Sequence, residues 1–374
     1  MNEIRMVDLK SQYRKIKTEI DSSIANVIDS TEFINGAQVK IFQQQLEDYL
    51  HVKHVIPCGN GTDALQIALM SFGLKPGDEV ITADFTFAAT LEVIALLGLK
   101  PVIVDVNPST FNISTNGIRN AITHRTKAII PIHLFGQCCD MDSIMNIARE
   151  NNLFVIEDSA QAMGSLCKFS GNYLHAGTIG DIGCTSFFPS KNLGCYGDGG
   201  ALMTNNDSLA QLASSIANHG MKVRYQYDYI GINSRLDTIQ AAILNVKLKH
   251  LDNYNKARQE VAAFYDKAFL NSPKITVPVR NPKSTHIFHQ YTLFLEGVSR
   301  DGLKDHLQSK GIPSMIYYPI PLHLQKAYYY LGYKEGDFPV TEMLCKSVIS
   351  LPMHTELDKE QLQFITDAVL EYIS

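Results

Sequence analysis

The chain has 374 residues, of which 45% are hydrophobic and 19% charged, with a formal net charge of -5. That length and balance suit a globular protein with a sizeable core, and the lack of a basic excess argues against a nucleic-acid partner. The most apolar stretches, such as Val93–Leu99 before Lys100-Pro101, are far too short for a membrane span.

In chain order, Val39, Phe42, Leu46 and Leu50 keep a helical spacing. His54–Pro57 reads as a short strand, followed by the turn Cys58-Gly59-Asn60-Gly61 and a helix over Thr62–Leu74. Glu79–Thr82, Pro101–Asp105, Ala128–Ile132 and Phe154–Glu157 are strand-like, with helical segments between them. This rhythm predicts an α/β fold with a mostly parallel central sheet. Ile182–Phe188 and Ala201–Thr204 extend the strand set. After Arg235 the pattern changes. Leu236 to about Phe269 reads as one long helical stretch, and Tyr291–Leu295, Met315–Tyr318 and Ser347–Leu351 as strands among helices. The expected division is a large domain over 1–245 and a smaller C-terminal α+β domain over 246–374.

The seven cysteines are scattered, apart from the adjacent Cys138-Cys139, and form no CxxC pair; the 12 histidines form no HxxxH or HExxH pattern. No metal site or disulfide framework is expected. With no apolar run of the signal-peptide kind in MNEIRMVDLK, the expected setting is the reducing cytoplasm.

Three segments carry chemistry. Cys58-Gly59-Asn60-Gly61-Thr62 sits at a strand-to-helix junction, where free backbone N–H groups suit a phosphate; read alone it is more readily a plain glycine turn with a polar helix cap. Val155-Ile156-Glu157-Asp158 ends an apolar strand on a carboxylate. Asp158 could hold a pyridinium nitrogen protonated, or merely cap the next helix. In Ser186-Phe187-Phe188-Pro189-Ser190-Lys191, a lysine follows a buried-looking strand and precedes a glycine-rich turn. Apolar surroundings would lower its pKa and free the amine for Schiff-base chemistry; an ordinary surface lysine is the other reading. Ser186 could give its hydroxyl to a phosphate.

Together with Lys75-Pro76-Gly77-Asp78-Glu79-Val80 and Asn233-Ser234-Arg235-Leu236-Asp237, these motifs resemble the DegT/DnrJ/EryC1/StrS aminotransferases over nearly the whole chain, from Val7-Asp8-Leu9 to Ser350-Leu351-Pro352-Met353-His354. The resemblance implies a fold-type I aminotransferase with pyridoxal 5'-phosphate (PLP) as cofactor. It implies a homodimer with shared active sites, and L-glutamate and a nucleotide-linked keto-sugar as substrates. It places Lys191 at the Schiff-base position, Asp158 at the pyridine nitrogen, Gln161 near the ring hydroxyl and Phe87 on the ring face. Gly61, Thr62 and Ser186 fall at phosphate contacts, and Asn233 reaches the phosphate of the other subunit's cofactor. Cys184 to Gly200 and Gly231 to Asp237 are most similar to the 3-aminotransferases of a UDP-linked 2-acetamido-3-keto-hexuronic acid. There Arg235 would meet the sugar carboxylate, unless it is structural. Tyr317 and Tyr318 are candidates for the sugar or diphosphate pocket. That branch can carry a histidine before its Tyr-Pro, whereas here the loop reads Tyr317-Tyr318-Pro319, which keeps dTDP-linked 3-keto-6-deoxy sugars open. His289 is expected in a structural or supporting role. A sugar dehydratase of this fold would carry histidine in place of Lys191, and a regulatory relative would need a damaged site or a DNA-binding segment.

Overall fold

A computed structural model describes residues 3–373. Its centre is a seven-stranded sheet of β1 (His54–Cys58), β2 (Glu79–Ala83), β3 (Lys100–Val104), β4 (Thr126–Ile130), β5 (Phe154–Asp158), β8 (Ile182–Ser186) and β9 (Gly200–Thr204). A hairpin of β6 (Leu166–Phe169) and β7 (Asn172–His175) leaves the sheet between β5 and β8. The spatial order is β1-β9-β8-β5-β4-β2-β3. The pairs β2/β3, β2/β4, β4/β5 and β5/β8 are parallel, and only β9 runs against its neighbours.

These strands are buried on both faces, which is why they read as continuous apolar runs rather than alternating ones. Successive residues still feed opposite layers. Ile81, Ile129 and Val155 join a core covered by the helix Met141–Asn151. Val80, Ala128, Ile130 and Ile156 join a second core under the helices Gly61–Ser71, Ala89–Leu96 and Asp207–Ala217. The helix expected over Thr62–Leu74 stops at Ser71, and Gly73 takes a positive φ of 63° just beyond it.

Past β9, a short hairpin of β10 (Met221–Val223) and β11 (Gln226–Tyr227) precedes the helix Thr238–Leu248. The long helical stretch is two helices, Thr238–Leu248 and Leu251–Phe269, separated at Lys249-His250. The second helix packs with Arg300–Ser309 and Lys359–Ile373 on a three-stranded sheet of β12 (Ile275–Thr276), β13 (Tyr291–Leu295) and β14 (Val348–Leu351). The expected strand at Met315–Tyr318 does not form. Met315 makes a single bridge to Ser350, and the chain then turns toward the main sheet. Among the described residues no helix is long and apolar enough to cross a membrane, and no group of three or more His, Cys, Asp or Glu could hold a metal ion. All seven cysteines are free and buried.

Candidate active site

The C-terminal ends of four strands of the main sheet meet around one cavity of about 650 Å³. β1 leads through Gly59 to the helix starting at Gly61. Asn60 caps that helix, its Oδ1 accepting from Asp63 N–H at 2.8 Å. The helix start is packed without room for side chains. A Cβ on Gly61 would lie 2.7 Å from Ser186 Cβ, and one on Gly200 would lie 2.4 Å from the Asn60 carbonyl carbon. The result is an open helix N-terminus beside the Ser186 hydroxyl, the natural seat for an anion.

β5 ends on Asp158, which is 8% exposed. Its carboxylate accepts from Thr90 Oγ1 at 2.8 Å and from Ala160 N–H at 3.1 Å, so it faces the cavity in one fixed orientation. Gln161 is held at both ends: Oε1 accepts from Phe135 N–H at 2.7 Å and Nε2 donates to the Tyr318 hydroxyl at 3.2 Å. β2 leads to Phe87, whose ring is 60% exposed at the rim. β8 leads to Lys191. Burial pushes its ammonium down to about 8, against the opposing pull of the Asp158 carboxylate.

The structure therefore brings together Gly61, Thr62, Phe87, Asp158, Gln161, Ser186, Lys191, Tyr317 and Tyr318 around one cavity. It does not bring Asn233 or Arg235 there. Asn233 is exposed, and Arg235 lines a separate cavity of about 740 Å³ with Lys40, His54 and Lys222. Between them, Ser234 is tied to the phosphate turn. Its Oγ accepts from Gly59 N–H at 2.9 Å and donates to Asp63 Oδ2 at 2.6 Å.

Three cavity features escaped the sequence reading. Thr90 steadies Asp158 from a different helix, and no local motif marks it. Thr86 lines the cavity beside Phe87. His289 lines it too rather than standing behind it. Its Nδ1 has no hydrogen-bond partner among the described residues. Burial, together with the charges of Lys191 and Arg258, holds it well below the ordinary histidine value, so it is neutral.

The cavity offers an amine that can lose its proton, an oriented carboxylate, an anion seat and a free aromatic face. That donor set fits PLP. The profile of the DegT/DnrJ/EryC1/StrS aminotransferase family matches residues 14–370. The chain belongs to that family. It is thus a PLP-dependent aminotransferase. It is 45% identical over 371 residues to the "Pleiotropic regulatory protein" of Geobacillus stearothermophilus, covering 99% of this chain and 98% of that one. It is 43% identical over 366 residues to the UDP-2-acetamido-2-deoxy-3-oxo-D-glucuronate aminotransferase of Pseudomonas aeruginosa, covering 98% and 99%. Among solved structures, a DegT DnrJ EryC1 StrS aminotransferase from Brucella abortus superposes with a TM-score of 0.94 at 41% identity, covering 99% of this chain and 100% of that one. NtdA of Bacillus subtilis, with bound cofactor PMP, superposes with a TM-score of 0.88 at 31% identity, covering 96% and 82%.

Proposed function

We propose that the protein moves an amino group from L-glutamate to C3 of a UDP-linked 2-acetamido-2-deoxy-3-keto-hexuronic acid, in supply of an amino sugar for a surface polysaccharide. The observation that carries this reading is the near full-length match to the Pseudomonas aeruginosa enzyme. In this reading Lys191 would hold PLP through its amine, Asp158 would face the ring nitrogen, and Gln161 would lie by the ring hydroxyl. Phe87 would cover one ring face. Gly61, Thr62 and Ser186 would receive the phosphate. Bound PLP supplies an electron sink. The chain's own groups do the rest. Freed Lys191 Nζ takes the proton from the donor Cα and later returns one to the sugar carbon, which its low pKa allows near neutrality. Asp158, held by Thr90, keeps its carboxyl group aimed at one point of the cavity. Tyr317 and Tyr318 form the sugar side.

Asn233 and Arg235 act in a second copy of the chain. Both lie outside their own cavity, and the nearby surface exposes Phe33, Ile34, Tyr225, Tyr227 and Ile230. In a homodimer Arg235 would meet the sugar carboxylate of the partner's site.

The test is product analysis. Holoenzyme with L-glutamate and the UDP-linked keto-uronic acid should yield 2-oxoglutarate and the 3-amino sugar nucleotide. The loop Tyr317-Tyr318-Pro319, without a preceding histidine, favours a second reading in which the acceptor is a dTDP-linked 3-keto-6-deoxyhexose; amination of that sugar alone would replace the first. A purely regulatory role, suggested by the name of the Geobacillus relative, predicts no amination of either.

A further inference from the structure

Behind the cavity wall lies a buried charge cluster that the reaction itself does not use. Asp84, His323 and Glu342 are 1%, 0% and 8% exposed. Asp84 Oδ1 accepts from the His323 backbone N–H at 2.9 Å, and Asp84 Oδ2 lies 2.6 Å from His323 Nδ1. On the other side, His323 Nε2 is 3.3 Å from Glu342 Oε1, an ion-pair distance without hydrogen-bond alignment. Neither carboxylate has a lysine or arginine ion pair among the described residues. Two buried carboxylates flanking one imidazole demand a proton on each ring nitrogen, because an unpaired buried charge is strongly unfavourable.

The placement of this bridge gives it a role. Asp84 opens the turn that carries Thr86 and Phe87 to the cavity; its own N–H is anchored on the Val104 carbonyl at 3.1 Å. His323 ends the segment that carries Tyr317 and Tyr318 to the same cavity. The Phe85 ring meets Tyr318 edge-on at 5.8 Å, so the two segments also touch nearer the cavity. Leu322 packs with Leu91, Ile103 and Phe338, which seats the histidine end of its segment.

We propose that the Asp84–His323–Glu342 bridge sets the gap between the Thr86–Phe87 turn and the Tyr317–Tyr318 segment, so that His323 is a positioning residue for the nucleotide-sugar step. This rests on the reaction given above. Both segments line the cavity that holds Lys191, and a nucleotide sugar, far longer than L-glutamate, reaches more of that lining. The bridge depends on the imidazolium. Burial opposes the His323 charge, but Asp84 and Glu342 outweigh it and hold the group above its ordinary value. The other groups facing the cluster are Asp105, the Cys345 thiol and the Tyr333 hydroxyl, none of which supplies a cation. The stabilisation is therefore complete below the ordinary histidine range and is lost as pH rises through the raised value.

The experiment uses PLP-loaded wild type, His323→Gln and Glu342→Gln, and reads cofactor absorbance. L-glutamate drives the donor step. The UDP-linked 2-acetamido-3-amino-uronic acid drives the sugar step in reverse. His323→Gln should raise the half-saturating amino-sugar concentration at least about tenfold and leave that for L-glutamate within about threefold. Glu342→Gln should act in the same direction, more weakly, and stands in if His323→Gln misfolds. Equal effects on both substrates, or on neither, would overturn the proposal. Melting temperatures from pH 6 to 9 give a second readout: the advantage of wild type over His323→Gln should narrow as pH rises. If wild type answers L-glutamate but not the amino sugar, the substrate assignment fails. The bridge is then judged on melting alone, where a narrowing advantage supports it and a constant or absent one overturns it.

Discussion

At the scale of single residues, the cavity depends on how a lysine and a carboxylate are solvated. Burial pushes Lys191 down to about 8. PLP uptake by the cofactor-free protein should therefore rise about tenfold per pH unit up to about pH 8 and then level off, as the neutral amine is the nucleophile. Stopped-flow absorbance checks this, and a rate that keeps rising well beyond pH 9 would contradict it. Lys191→Ala should bind PLP without a Schiff-base absorbance and lose at least about 1000-fold in amination rate. Thr90→Val removes the hydroxyl that donates to Asp158 Oδ2 at 2.8 Å. A bond to a charged group contributes roughly 1.5–3 kcal/mol, so the amination rate should fall by about ten- to a hundredfold while PLP still binds. The places of Lys191 and Asp158 in the cavity were legible because Asp158 ends an apolar strand and Lys191 follows one closely. Thr90 and His289 were not, since their place in the cavity comes from pairings 68 residues apart in one case and from packing beside Lys191 in the other.

At the scale of elements, the anion seat is a packing solution. The helix from Gly61 and the strand from Gly200 approach so closely that a methyl group has no room at either position. Gly61→Ala should weaken PLP binding at least about tenfold, since relief requires moving either Ser186 or the helix start; a titration of cofactor-free protein measures it. Ser234→Ala leaves Gly59 N–H and Asp63 Oδ2 without their shared partner. It should cost about 1–3 kcal/mol in urea unfolding. The strands of the main sheet were readable because burial on both faces leaves uninterrupted Val- and Ile-rich runs, as in Glu79–Ala83 and Phe154–Asp158. The hairpin Leu166–Phe169 with Asn172–His175 was not, because its second strand is mostly exposed and polar. Met315–Tyr318 misled in the opposite way. Its β-prone residues serve the cavity wall and a core contact of Tyr317 and Tyr318, so only Met315 pairs with a strand.

At the scale of the whole molecule, Asn233 and Arg235 define the expected assembly. If they complete the partner's cavity, mixing inactive Lys191→Ala with inactive Arg235→Ala should restore activity. In the hybrid dimer one of the two sites has both residues intact, so up to about one quarter of wild-type activity per subunit should return at equal mixing. No recovery, with hybrids verified by differential tagging and mass, would place Arg235 outside the reaction. The sequence by itself determined the reaction chemistry and the main sheet, because strand runs, glycine turns and the lysine and aspartate that follow them are local in the chain. Only the tertiary structure decided which distant residues meet: that His289 enters the cavity neutral, that Arg235 lines a different one, and that Asp84 meets His323 across 239 residues. Such meetings depend on how layers pack and on which buried charges must be paired, and no local periodicity encodes either.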